Sequence, residues 1–220
     1  SHVDAAWAGS ALICPEFRDI ASGIELADSL VMNPHKWLMT NFDCSVHFVK
    51  SVEDFRKTMS ITPAYLVTQD AEGITDYSQL TLELGRRFRA LKLWFVIRCY
   101  GVSGLQQIIR NHVAWTDFMA ARIGDTPGFE ITSRPRLGLF SFRLRPDGHE
   151  DGELLDNLNA RLVDAVNGDG TLYLTQTIHD GRYVIRISIG TTSTTAEDID
   201  IAYDRIVALA APILQSARKG

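Results

Sequence analysis

Cysteine is scarce in this sequence, and its placement excludes the sites that depend on it. The three cysteines, Cys14, Cys44 and Cys99, lie far apart and form no Cys-x-x-Cys or Cys/His ligand spacing. Disulfide frameworks and zinc sites both need several ligands at characteristic short spacings. The sequence therefore predicts neither kind of site and favours a reducing compartment, the cytoplasm.

Long hydrophobic runs, clustered positive charge and a nucleophile elbow are also missing. No run of about 18 apolar residues is present, and the N-terminus lacks the layout of a signal peptide. The net charge is -5, and the basic residues are dispersed apart from Arg86, Arg87, Arg89 and Lys92. These features argue against a membrane span and against nucleic acid as a partner. Without a Gly-x-Ser-x-Gly motif, a serine hydrolase is disfavoured.

The 220 residues that are present, 45% of them hydrophobic, suffice for a sizeable core. Up to about residue 80, short apolar runs are broken by Gly, Pro and Asn, as in the strands and loops of an α/β domain. Strands are expected at residues 29–32 and 45–49. Residues 1–6 resemble the end of a buried strand, so we expect a companion segment of the same protein to supply the neighbouring strands.

The second half of the chain predicts helices and then a small domain. The run from Gly85 to Gly101 predicts a helix buried on much of its surface, with Trp94 in the core, and a second helix follows at about 103–123. Residues 137–215 then read as strand, helix, hairpin and helix, with the hairpin turn at 179–182 and a capping box from Thr195 to Asp198. We expect one domain over residues 1–100 and a small α/β domain over residues 101–220.

Chemistry is suggested by Asp4 in the block HVDAAWAG and Lys36 in the block NPHKW. An amine can hold pyridoxal phosphate as an imine, and a nearby anion can keep the pyridine nitrogen protonated. This spacing alone is not specific. Lys36, however, interrupts an otherwise uncharged stretch over residues 30–42, where burying a free ammonium would be costly. A covalent role would explain a lysine in that place.

Three long blocks carry a more specific resemblance. HVDAAWAGSALICPEFR, NPHKW with its continuation NFDCS, and LGRRFRALKLWFVIRCYGVSGLQ resemble the group II pyridoxal-phosphate-dependent amino-acid decarboxylases, the aromatic-L-amino-acid decarboxylase family. The resemblance extends from residue 2 to about residue 112 and more loosely beyond. It implies an α/β fold of type I, similar to aspartate aminotransferase, with part of the large domain and the small C-terminal domain. It also implies a homodimer and pyridoxal 5'-phosphate.

The resemblance assigns roles to several residues. Lys36 matches the Schiff-base lysine, Asp4 the partner of the pyridine nitrogen, and Ala6 the small residue that packs on the cofactor ring. Asn33 matches a residue that helps to hold the phosphate. His35 matches the histidine that lines the site, although a histidine here can equally be a structural hydrogen-bond partner.

Tyr65 matches the tyrosine of the family's catalytic loop, expected here at about residues 62–80. The polar segment at 64–77 suits a loop that closes when substrate binds. A phenol delivered by such a loop can return a proton to the α-carbon after carbon dioxide leaves. Related insect aldehyde synthases have Phe at this position, so Tyr65 favours simple decarboxylation.

Leu84 and Gly85 match positions that present backbone N–H groups to the cofactor phosphate of the neighbouring subunit. Gly85 can also simply begin a helix, and the two interpretations are compatible. No residue suggests a metal ligand. The residues expected to build most of the substrate pocket belong to the companion segment.

The sequence therefore favours decarboxylation of an aromatic amino acid such as L-dopa, tyrosine, tryptophan or 5-hydroxytryptophan. Two alternatives within the same fold are a glutamate or histidine decarboxylase and an aromatic aldehyde synthase. An alternative from another class is a non-catalytic dimerisation fragment, since much of the pocket is missing from the chain.

Overall fold

The computed structural model of the chain describes residues 1–60 and 76–217, which fall into two compact units. The first unit comprises residues 1–105 and the second residues 106–220. Tyr65 and most of the expected loop at 62–80 lie outside the described residues. None of the described helices combines the length and the apolar composition that crossing a membrane requires.

The first unit contains a three-stranded sheet. Its strands are β1 (His2–Asp4), β2 (Ser29–Met32) and β3 (Val46–Val49), in the order β1-β2-β3. Strands β1 and β2 are parallel, and β3 is antiparallel to β2. The prediction of strands at 29–32 and 45–49 is therefore confirmed to within one residue.

Short helical elements lie between these strands and after the last of them. They are α1 (Pro34–Trp37), α2 (Val52–Met59) and 3₁₀ segments at Ala8–Ile13, Pro15–Ala21, Ile24–Leu26 and Tyr77–Leu80. The first 3₁₀ segment packs directly on β2, because a Cβ added to Gly9 would lie 2.8 Å from the Cβ of Met32. Only glycine permits so close an approach, which holds the chain after β1 against β2.

Helix α3 runs from Ala90 to Gly124 and leaves helical geometry at Gly101. Its start lies five residues after the predicted start at Gly85, since the preceding segment is held in another conformation. There the N–H of Arg89 donates to the carbonyl of Arg87 at 2.8 Å, and both side chains bind Asp43. This hydrogen bond joins residues two apart in the chain, whereas the hydrogen bonds of an α-helix join residues four apart.

The prediction that the first part of α3 is buried is wrong for this chain. Phe88 is 75% exposed, Trp94 53% and Phe95 52%, and Leu91 and Tyr100 are also exposed. The apolar pattern identifies the face of a helix that is suited to burial but does not identify what covers it. No described segment of the chain packs over this face.

The second unit contains the C-terminal part of α3, a four-stranded antiparallel sheet and two further helices. The elements are β4 (Phe129–Arg136), β5 (Leu139–Leu144), α4 (Gly152–Asp169), β6 (Thr175–His179), β7 (Arg182–Ser188) and α5 (Ala196–Ala217). The strand order is β4-β5-β7-β6. The capping box is confirmed, because the Asp198 N–H donates to Thr195 Oγ1 at 3.3 Å and the Thr195 N–H to Asp198 Oδ2 at 2.8 Å.

The core of the second unit lies on one face of this sheet. Alternate residues of β5 and β7 point into it and meet apolar residues of the helices, and the central members are Phe140, Phe142, Leu144, Leu158, Leu162, Ile185 and Ile206. Each fully buried side chain of this size contributes about 1.5–3 kcal/mol through the removal of apolar surface from water. Ser141 and Arg143, which alternate with these residues in β5, lie on the other face.

The hairpin of β6 and β7 turns more tightly than the sequence suggested. The ladder extends to the pair His179 and Arg182, leaving only two turn residues. Asp180 has φ 50° and Gly181 has φ 72°, the positive values that a type I′ turn needs. Strand β6 begins at Thr175.

Asn159 on α4 joins the helix to the end of β5. It is fully buried; its Oδ1 accepts from the Leu144 N–H at 2.6 Å, and its Nδ2 donates to the Leu144 carbonyl at 3.1 Å. Nδ2 also donates to the carbonyl of Leu155 at 2.8 Å. One amide therefore satisfies both backbone groups of a buried strand residue.

Replacing Asn159 with alanine is expected to lower the free energy of unfolding by about 2–4 kcal/mol, because two buried backbone groups lose their partner. Urea denaturation of the complete protein measures the loss. Asn157, exposed on the same helix, provides the matched control, and Asn157→Ala should cost less than about 0.5 kcal/mol. Equal losses for the two variants would contradict the interpretation.

Candidate functional site

The parallel pairing of β1 and β2 brings the two sequence blocks to one edge of the sheet. Asp4 ends β1 opposite Val31, and β2 ends at Met32, one residue before Asn33. The carboxyl ends of parallel strands lie at the same edge, and here the backbones remain bonded beyond the strands. The Ala5 N–H donates to the Val31 carbonyl at 3.0 Å, and the Asn33 N–H to the Ala6 carbonyl at 2.9 Å.

Asp4 presents its carboxylate at this edge. The side chain is exposed, and Oδ1 accepts from the Ala6 N–H at 3.0 Å. The bond fixes the carboxylate against the backbone that carries Ala6, so the charge and the small side chain stay at the same place. These two residues are therefore brought together as the sequence analysis requires.

Lys36 follows on the single turn of α1. Pro34 sets the first helical position, and the Lys36 N–H donates to the Asn33 carbonyl at 2.9 Å. Pro34 and Trp37 are buried whereas Lys36 is exposed, so the prediction that the lysine itself is buried is wrong for this chain, although the stretch around it is largely buried. Successive residues of a helix point about 100° apart, so the interior accepts the neighbours and leaves the amine outside.

Asn33 and His35 are held by the segment that returns after α1. The Ser45 hydroxyl donates to Asn33 Oδ1 at 2.6 Å. The His35 Nδ1 lies 2.6 Å from the Cys44 carbonyl oxygen and 3.0 Å from the Cys44 nitrogen. The His35 ring also meets the Phe42 ring edge to face, with centroids 4.8 Å apart.

An aromatic stack that the sequence analysis did not identify joins the two blocks. The rings of Trp7 and Trp37 lie 4.5 Å apart at 11°, and Trp37 is fully buried. Trp7 follows Ala6 and Trp37 follows Lys36, so the stack ties together the segments that carry the acid and the amine. Two tryptophans beside functional residues are the only indication that the sequence offers.

Leu84 and Gly85 lie in the irregular segment before α3. Leu84 is 63% exposed and Gly85 is also exposed, and a Cβ on Gly85 would meet nothing within 4 Å. The hydrogen bonds that join Asp4, Ala6 and Asn33 do not reach these two residues in the described part of the chain. Their predicted role stays a prediction.

Two cavities in the first unit are lined by candidate site residues, one by Asp4 and the other by His35. One of about 310 Å³ touches Asp4 but is otherwise lined mainly by apolar residues such as Leu12 and Ile20, without Lys36. A larger cavity of about 850 Å³ is lined by His35, Phe42 and other residues of the first unit. Only the larger of these two cavities is lined by a residue of α1, which is His35.

The arrangement can be compared with known proteins. The family model for the pyridoxal-dependent decarboxylase conserved domain matches residues 1–145. The chain belongs to the pyridoxal-dependent decarboxylase family. The family predicted from the three sequence blocks is thereby confirmed, and the cofactor of this family is pyridoxal phosphate.

Individual members of the family show how far the similarity extends. Aromatic-L-amino-acid decarboxylase of Sus scrofa is 42% identical over 215 residues, which cover 97% of this chain and 43% of that protein. Phenylacetaldehyde synthase of Arabidopsis thaliana is 41% identical over 204 residues, or 92% of this chain and 41% of that protein. The chain spans less than half the length of these relatives.

The fold of this pyridoxal-dependent decarboxylase chain is shared with solved structures. The crystal structure of Oryza sativa TDC with PLP and tryptamine matches it with a TM-score of 0.92 at 35% identity, over 97% of this chain and 44% of that one. The α/β fold of type I is therefore confirmed for the portion that the chain represents.

The residues at the β1–β2 edge fit the cofactor of this family. Pyridoxal phosphate requires an amine, an anion for its pyridine nitrogen and a small residue against its ring. Lys36 offers an exposed amine, Asp4 an exposed carboxylate with a fixed orientation, and Ala6 a methyl group beside it. These three groups are of the kinds that the cofactor requires.

Proposed function

We propose that the protein containing this chain removes carbon dioxide from an aromatic L-amino acid with pyridoxal 5'-phosphate and releases the amine. The observation that carries the proposal is the shared edge of Asp4 and Lys36 in a chain 42% identical to an aromatic-L-amino-acid decarboxylase. Aromatic substrates are further supported by a tyrosine decarboxylase of Petroselinum crispum and a tryptophan decarboxylase of Camptotheca acuminata, which are 39% and 42% identical.

Each residue at the edge has a proposed task. When bound, the cofactor supplies an electron sink for the pair left on the α-carbon as carbon dioxide departs. Lys36 would hold the cofactor through its amine, and the Asp4 carboxylate would keep a proton on the pyridine nitrogen. Ala6 leaves room for the ring. The Asn33 Oδ1 already accepts a hydrogen bond from the Ser45 hydroxyl. The Nδ2 of the same Asn33 side chain supplies the N–H donors that a phosphate needs.

Tyr65 is proposed to return the proton. Its hydroxyl would protonate the α-carbon once carbon dioxide has left, while the surrounding loop excludes water. The His35 ring, held on Cys44, would line the same site. Both assignments follow from the resemblance of these positions to the family.

Replacing Tyr65 with phenylalanine is expected to convert amine production towards aldehyde, ammonia and hydrogen peroxide in air. Only the hydroxyl is removed, so cofactor binding and carbon dioxide release should persist, whereas proton return fails and dioxygen becomes the oxidant. Carbon dioxide, amine and peroxide are measured in one reaction with L-dopa. Tyr173→Phe, an exposed position in the second unit, is the control. An unchanged amine yield without peroxide would assign the proton to another group.

An aromatic aldehyde synthase is the second candidate, because phenylacetaldehyde synthase of Arabidopsis thaliana is 41% identical over most of the chain. The same assay on the unmodified protein separates the two activities. An aldehyde synthase forms peroxide in proportion to carbon dioxide, whereas a decarboxylase forms amine and no peroxide.

A homodimer is part of the proposal. An exposed apolar surface is formed by Phe88, just before α3, and by Trp94 and Phe95 on α3. A water-soluble enzyme would cover such a surface. Leu84 and Gly85 lie in the same irregular segment just before α3, in agreement with a role towards the neighbouring subunit's cofactor. The companion segment of the same protein would supply the remaining pocket.

A further inference from the structure

The segment Asn41–Ser45, here called the return segment, folds back onto α1 through backbone and side-chain bonds. The His35 N–H donates to the Cys44 carbonyl at 3.3 Å, and the Ser45 hydroxyl donates to Asn33 at 2.6 Å. The Thr40 N–H, just before the segment, donates to the Pro34 carbonyl at 3.3 Å. The residues proposed to line the site are therefore held by the return segment.

The contact between His35 and Cys44 also fixes the orientation of the ring. The Nδ1 of His35 lies 2.6 Å from the Cys44 carbonyl oxygen. The Cys44 N–H donates to the same Nδ1 at 3.0 Å. In either tautomer of the ring, Nδ1 therefore has a partner on Cys44, and the orientation of the imidazole follows the position of that residue.

The return segment is in turn anchored by Asp43. Arg89 donates from Nε to Asp43 Oδ2 at 2.8 Å, and Arg87 donates from Nη2 to Oδ1 at 3.0 Å. Lys92 lies 3.9 Å from Oδ1. The hydrogen bond from Arg89 is the main reason that the pKa of Asp43 lies below its usual value. Asp43 and Arg89 are both mostly shielded, with 26% and 21% of their side chains exposed.

A second contact links the same partners. The buried Cys44 thiol lies 3.8 Å from the Arg89 carbonyl oxygen, to which it donates. The peptide that holds the His35 ring is thus fixed by Asp43 on one side and by the Arg89 backbone on the other. A shift of the return segment would move the Cys44 carbonyl and release the ring.

We infer that Asp43 is a positioning residue for His35, acting through the Cys44 peptide to fix the orientation of the imidazole. The inference rests on the proposed function in one respect, that His35 lines the reactive site. Asp43 itself touches no residue of the β1–β2 edge in the contacts described above. Its effect on the reaction therefore depends on the presence of His35.

A double-mutant cycle on the complete holoenzyme tests this dependence. Asp43→Asn should lower kcat/KM for the aromatic amino acid about tenfold when His35 is present, because a small displacement of a site residue is costly to the rate. In a His35→Gln background, Asp43→Asn should cause no further loss. An equal loss in both backgrounds would overturn the inference.

A second measurement reads the ring without requiring turnover. Exchange of the His35 C2 proton with deuterium, followed by mass spectrometry of the apoprotein, should become several-fold faster in Asp43→Asn as the ring leaves Cys44. An unchanged exchange rate would overturn the inference. If the complete protein released no carbon dioxide from aromatic amino acids, the proposed function would fail, and this measurement would still decide the role of Asp43.

Two further variants separate geometry from charge. Arg89→Lys keeps the positive charge but loses the Nε donor, and it should reproduce both effects of Asp43→Asn. Asp169→Asn is the matched control, because Asp169 is likewise bound by an arginine, Arg205, whose Nε donates at 2.8 Å, in the second unit. A loss of kcat/KM or faster His35 exchange in Asp169→Asn would indicate a general effect of losing an ion pair.

Discussion

Replacing Lys36 with alanine in the complete protein is expected to lower kcat for the proposed decarboxylation about a thousandfold or more, because the reaction loses the amine that we propose holds the cofactor. Lys36 is the lysine that shares the β1–β2 edge with Asp4. The expected loss exceeds that of other single substitutions of the described residues, since the covalent link proposed for Lys36 cannot form without its amine. Carbon dioxide release from L-dopa measures it.

The assignment has a direct chemical control. Borohydride reduction of the unmodified holoenzyme should fix the cofactor on the peptide that contains Lys36, and the label should be missing from Lys36→Ala. Lys50→Ala is the matched variant, because Lys50 is exposed just after β3 and should leave kcat within about twofold. Recovery of the label on Lys50 or Lys92 would move the cofactor to another lysine.

Much of the fold was predictable because local patterns determine it. The strand Ser29–Met32 and the capping box of Thr195 and Asp198 follow from apolar runs and cap chemistry that act over a few residues. Strand β4 was not predicted, because its sequence FEITSRPR combines a proline with two arginines and lacks clear alternation. Its pairing with β5 supplies the stabilisation that the local sequence does not indicate.

Burial was less predictable than secondary structure. The apolar face of α3 near Trp94 indicated a core, yet the chain leaves it exposed. The uncharged neighbours of Lys36 likewise indicated a buried lysine, although neighbours such as Trp37 and Leu38 are buried while the lysine is exposed. In both places the sequence identifies side chains that suit burial, whereas the covering surface depends on other parts of the protein.

The candidate site likewise contains a part that the sequence predicts and a part that it does not. The blocks that carry Asp4 and Lys36 were recognisable, since their residues are contiguous in the sequence. The support beneath His35 was not, because it depends on a reversal at Met39, which adopts a positive φ of 54° without being glycine. That reversal places Cys44 against His35, a contact that no local pattern announces.

Replacing Asp4 with asparagine is expected to lower kcat by about two to three orders of magnitude, because the cofactor ring loses the anion that we propose keeps its nitrogen protonated. The amide oxygen of asparagine can still accept from the Ala6 N–H, so the local structure should persist and the charge alone is removed. Turnover of L-dopa is measured at saturating cofactor, which separates the chemical effect from weaker binding.

The matched variants for Asp4 test charge against position. Asp4→Glu keeps the charge but lengthens the side chain by one methylene, and it should retain more activity than Asp4→Asn if the charge matters most. Asp54→Asn removes an exposed carboxylate elsewhere in the first unit and should leave kcat unchanged. Near full activity in Asp4→Asn would show that the pyridine nitrogen is served by another group, and Asp4 would then keep only its hydrogen bond to Ala6 at the end of β1.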